Sequence, residues 1–138
     1  MTKNKTGVTL TLTKDKSEEM FYNSMCNGMH YMSGYGLVLD YDPIEYKKAK
    51  STLAENKAVN VEICREDIWM QILRNGGTLT FVDEEGDDER HSITLKEVHE
   101  RVQLADAQTI LDMLNENDDA ITADCILQTV FFKEIVFG

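Results

Sequence analysis

The sequence predicts an α+β fold: a small, mainly antiparallel sheet packed against helices, with a helical C-terminal third. Three observations carry this. Short runs of β-forming residues occur at 8–13, 36–41 and 78–93. Helix-start signals sit at Asp42-Pro43, Thr94 and Asp106. Beyond Thr94 the apolar spacing stays helical as far as Phe132.

Val8, Leu10 and Leu12 alternate with Thr9, Thr11 and Thr13, which predicts a half-buried first strand, and Lys14-Asp15-Lys16-Ser17 reads as the turn after it. The segment 20–36 is rich in Met and Tyr. Its early part predicts a short helix, and Gly28, Gly34 and Gly36 argue against a regular helix further on. Gly36 to Tyr41 reads as a strand. Asp42 can cap a helix with Pro43 at its first position and Glu45 three residues after the cap; that helix runs to about Asn56. Val59 to Ile63 is expected to form a short strand.

Glu66 to Asn75 places Ile68, Trp69, Ile72 and Leu73 on one helical face, and Gly76-Gly77 supplies the stop. Thr78 to Val82 alternates as a strand, Asp83 to Glu89 is a turn, and Arg90 to Ile93 returns as its partner. Thr94 and Glu97 make a capping box for a helix to about Gln103. Asp106 caps a helix carrying Ile110, Leu111, Met113 and Leu114. Asn115 to Asp119 interrupts it, and a last helix spans Ala120 to Phe132. With 138 residues, one proline and no linker or repeat, the chain is expected to be one domain over residues 1–138.

Charge is unevenly placed. Residues 1–57 hold eight Lys/Arg against seven Asp/Glu; residues 58–138 hold six against eighteen, which accounts for the net charge of −11. Such a field repels phosphate backbones and attracts basic surfaces, so direct nucleic-acid binding is not expected. No apolar run reaches the roughly 20 residues that span a bilayer, so no membrane partner is expected either. Cys26, Cys64 and Cys125 are odd in number and scattered, which predicts free thiols in a reducing, cytoplasmic setting, with Cys64 and Cys125 as small core side chains.

Chemical motifs are lacking. Read as a calcium loop from Asp83, the glycine falls two positions early and Thr94 stands where a bidentate Glu is required. Cys26 and His30 share helical spacing, but two ligands do not make a zinc site. Ser33-Gly34 lacks the nucleophile-elbow pattern, and Gly34-Tyr35-Gly36 precedes a strand rather than a helix. No cofactor, metal ligand or catalytic residue is assigned.

Two surfaces remain as candidates. Met29, Tyr31, Met32 and Tyr35 form an irregular apolar segment of adaptable residues, whose simplest role is core filling. Phe137, in the apolar run Ile135-Val136-Phe137, must return to the core or meet another chain. Asp83, Glu84, Glu85, Asp87, Asp88 and Glu89 form an acidic surface. The expected function is therefore a non-enzymatic protein-interaction module that associates with another protein, itself included, as a homodimer. The alternatives are an acidic decoy that occupies a basic nucleic-acid-binding protein, and a small enzyme with an unrecognised site.

Overall fold

The computed structural model describes residues 11–56, 62–117 and 119–138. Among these the order is α1 (Lys14–Gly34), β1 (Leu37–Asp40), α2 (Pro43–Glu55), α3 (Arg65–Arg74), β2 (Leu79–Asp83), β3 (Glu89–Ile93), α4 (Leu95–Arg101), a 3-10 turn (Val102–Leu104), α5 (Ala107–Leu114) and α6 (Ala120–Phe132). The three strands form an antiparallel sheet in the order β1-β2-β3. The fold is α+β, with helices through its C-terminal region.

Alternation puts Leu37, Leu39, Leu79, Phe81, His91 and Ile93 on one face of that sheet. Leu37, Leu79, Phe81 and Ile93 are buried there. Phe81 packs on Phe131 of α6 at 4.2 Å between ring centroids, and Phe131 in turn lies 6.2 Å from Phe21 of α1. The sheet thus leans on the α1–α6 pair, the most extensive helix contact among the described residues. Helices α2 and α3 pack on each other, bringing Ala49, Ile68, Trp69, Ile72 and Leu73 into the same core.

The caps behave as their chemistry dictates. Asp42 accepts from Ile44 N at 2.8 Å, with Pro43 at the first helical position. Thr94 and Glu97 close a capping box. Asp106 accepts from Thr109 N and Asp119 from Thr122 N, both at 2.9 Å. Gly76 takes φ +89° and ends α3, while Gly77 N donates to Ile72 O at 2.8 Å.

Helix α1 overturns two expectations. Lys14–Ser17 is its first turn rather than a turn following a strand: Thr13 Oγ1 accepts from Lys16 N at 3.1 Å and opens the helix. The helix then runs 21 residues, straight through Gly28. A Cβ at Gly28 would stand 3.0 Å from Ala123 Cβ and 3.1 Å from the Ala123 carbonyl carbon. Gly28 is therefore where α6 crosses α1 at close range, and packing outweighs the loss of about 1 kcal/mol that glycine costs a helix. Among the described residues the first element is accordingly a helix. Of the expected first strand, residues 8–10 lie outside the described residues and Thr11–Thr13 are irregular. Of the expected strand at 59–63, residues 59–61 lie outside them, and Glu62 and Ile63 are irregular.

Candidate interaction surface

Four half-buried aromatic rings form one continuous row. Tyr31 lies near the end of α1, and Tyr35 follows one helical turn later as its C-cap. Their rings stack at 6.5 Å. Phe137 stacks on Tyr35 at 4.5 Å with planes 7° apart, and Phe132 meets Phe137 edge-on at 5.9 Å. A histidine stands at each end: His30 against Tyr31 and His91 against Phe132, both at 4.5 Å. Beside the row, Ile135 is 51% and Val136 55% exposed. Scattered exposed apolar side chains are ordinary, but a contiguous aromatic and aliphatic strip is the composition that interfaces favour.

One side chain holds this arrangement together. Gln128 lies in the apolar run of α6 and is fully buried. Its Oε1 accepts from Val136 N at 2.7 Å and Phe137 N at 2.8 Å. Its Nε2 donates to Phe137 O at 3.1 Å and to Asp124 Oδ1 at 2.9 Å. Asp124 Oδ2 then accepts from the Tyr35 hydroxyl at 2.8 Å. Every hydrogen-bonding position of the Gln128 amide is used. Burial, seconded by the Asp124 carboxylate, pushes the Tyr35 phenol up to about 12.

The acidic segment is the β2–β3 turn. Gly86 N donates to Asp83 O and Glu89 N to Gly86 O, so Asp87 and Asp88 are the two central residues of a tight turn, with φ of 60° and 57°. Two successive left-handed residues match the twist of the flanking strands. Glu84, Glu85, Asp87, Asp88 and Glu89 are exposed; Asp83 is half-buried. Glu84 N donates to Gly36 O at 3.0 Å, and the Glu85 carboxylate occupies the space that a Cβ at Gly36 would take. The acidic turn is thereby fastened one residue from Tyr35.

The candidate residues do not all stand on one surface. Tyr31, Tyr35 and Phe137 line the row, and Met29 is half-buried against the core. Met32 is fully buried, as are Met20 and Met25 to within 2%, so most of the methionine stripe fills the core. Phe137 returns to its own chain. Gln128, Asp124 and Phe132 were not foreseen. An amide set among Ile126, Leu127 and Val130 is the signal from which Gln128 could have been picked out, since a buried amide demands partners.

Catalytic and metal chemistry finds less support. Cys64, expected in the core, is exposed at the cap position of α3, where the extended backbone turns its side chain outward; Cys125 is half-buried and Cys26 exposed. The Tyr22 hydroxyl donates to Asp67 Oδ1 at 2.7 Å and lies 3.8 Å from Cys64 Sγ. Its bond to Asp67 pushes the Tyr22 phenol above its usual range, and burial followed by the nearby Glu66 pushes the Cys26 thiol up. Burial likewise raises Cys125, with Asp124 next. Thiols raised in this way are weak nucleophiles at neutral pH. A cleft of about 560 Å³ borders Asp40, Tyr41, Glu45 and Arg90, and one of about 480 Å³ borders Glu18, Tyr22, Asp67 and Arg74. Their main charges are already engaged: Arg90 with Asp40 at 2.8 Å, and Arg74 with Glu18 at 3.1 Å. Among the described residues no group of three His, Cys, Asp or Glu is placed to hold a metal ion, and no helix is long and apolar enough to cross a membrane. Compared with protein-family models, with curated proteins and with solved structures, the chain matches none.

Proposed function

We propose that this chain is a non-enzymatic protein-interaction module that associates with itself through the aromatic row. The observation that carries the reading is the contiguity of Tyr31, Tyr35, Phe137 and Phe132, half-buried and bordered by exposed Ile135 and Val136. Rigid aromatic side chains give large contact area at low entropic cost, and a two-fold dimer is the commonest closed form. Exposed free thiols at Cys26 and Cys64 accord with a reducing, cytoplasmic setting.

A second reading keeps the surface and changes the partner. The turn fastened at Gly36 sets Glu84, Glu85, Asp87, Asp88 and Glu89 beside the row, which suits a basic protein surface that would otherwise hold nucleic acid. Salt separates the two readings by sign. Two chains of charge −11 repel, so screening tightens a homodimer, whereas it weakens a complex with a basic partner. Light scattering at micromolar concentration over a salt series tests the first. A monomer mass throughout defeats it. Titration with a lysine-rich amphipathic peptide tests the second, and heat of binding that is absent at low salt defeats that one.

A further inference from the structure

Gln128 and its neighbours make a slot that reads main-chain groups. The buried amide takes the N–H of Val136 and both the N–H and C=O of Phe137, while the Phe137 ring enters between Tyr35 and Phe132. Ile135 and Val136 side chains point away into solvent, as their exposure shows. The ligand class of the slot is therefore a peptide segment with one aromatic ring, whose two successive backbone N–H groups converge on one amide oxygen and whose two preceding side chains are not read. Emptying the slot strands a buried amide, which is costly.

The chain's own segment reaches this slot through a strained bend. Lys133 ends α6 at φ 69°, left-handed for a residue that has a Cβ. In a helical conformation Lys133 would lengthen α6 and carry the segment away from its own slot. We propose that the slot also accepts, in trans, the Val136–Phe137 segment of a second copy, so that two chains exchange segments across Tyr35. This rests on the self-association proposed above and supplies its contact. The occupant is a second copy because that sequence is the one seen seated in the slot, and each contact made in cis is remade in trans. Exchange of identical elements costs little beyond association itself, and here it relieves the bend at Lys133.

Two measurements on full-length protein test it. The first is sedimentation of wild type, Lys133→Gly and Gln128→Leu. Glycine accepts the bend without strain, so Lys133→Gly favours the monomer and weakens the dimer at least about fivefold; Gln128→Leu removes it. The second adds a synthetic peptide of residues 133–138 to the Phe137→Ala variant, whose slot keeps Tyr35, Asp124 and Gln128. Binding is expected, with none for the same peptide carrying alanine in place of Phe137. A dimer undiminished in Lys133→Gly, or a peptide that does not bind, overturns the exchange and leaves self-association standing. A wild type that is monomeric at every concentration overturns both.

Discussion

The rings of Tyr35 and Phe137 lie 4.5 Å apart and within 7° of parallel, joining the end of α1 to the segment that follows α6. An aromatic pair of this kind adds about 0.5–1.5 kcal/mol beyond the area it buries. Phe137→Ala is therefore expected to lower unfolding free energy by about 1–2 kcal/mol in urea denaturation, with the helical circular dichroism unchanged. An unchanged midpoint would show that the segment is not anchored by its ring.

The Tyr35 phenol supplies a pH test. Its value in the folded chain is raised from 10.0 to about 12 by burial and by Asp124. A group raised in this way contributes stability that is fully present below pH 10 and is lost as pH climbs through about 12. Phenolate absorbance should show Tyr35 ionising late, alongside the raised Tyr22, and Asp124→Asn should bring Tyr35 earlier while leaving Tyr22 in place. No change in the titration of Asp124→Asn would refute the bond's role.

Glu18 gives the opposite sign. It accepts from Arg74 Nε at 3.1 Å and His99 Nε2 at 2.7 Å, tying α1 to α3 and α4. Burial alone pushes its carboxyl up, but the bonds from His99 and Arg74 prevail and hold it below its ordinary 4.5. Stability from a depressed carboxyl is present above pH 4.5 and is lost as pH falls through the lower folded value. Glu18→Gln should cost about 1–2 kcal/mol at neutral pH, and the gap to wild type should close in acid. A gap that stays constant with pH would contradict this account.

Gly28 is a packing contact, not a flexible point. Gly28→Leu must push against Ala123 and Leu127, which a Cβ alone would already meet at 3.0–3.1 Å. The expected loss is about 1–3 kcal/mol despite the better helix propensity of leucine. Thermal melting decides between them: a raised midpoint would mean that propensity wins and that the crossing is loose.

The turn at Asp87 and Asp88 holds two non-glycine residues at positive φ. Replacing Asp88 with glycine should stabilise the chain by about 0.5–1 kcal/mol, because glycine adopts this conformation without steric cost. A destabilised Asp88→Gly in denaturant titration would mean that the aspartate carboxylate makes up for its strain.

The sequence by itself determined the elements that local chemistry specifies. Asp42-Pro43, the Thr94–Glu97 box, Asp106 and Gly76 act on backbone groups within a few residues of themselves, so each helix boundary they predict is where the structure has it. The hairpin at 79–93 was legible for the same reason: alternation and an acidic turn are short-range signals. Only the tertiary structure decided the length of α1, because the glycine that looks like a break at position 28 is required by α6, nearly a hundred residues away in sequence. It also decided the candidate surface. Tyr31 and Tyr35 could be singled out by composition, but whether a tyrosine faces core or solvent depends on what packs above it, and here that is Phe137. Met32 went to the core, as the simplest reading of a methionine has it, whereas Cys64 went to the surface against the simplest reading of its type, since burial is set by helix orientation. Gln128 carries the same lesson: an amide in an apolar helix announces that partners exist, and only the folded chain names them as the backbone of residues 136 and 137.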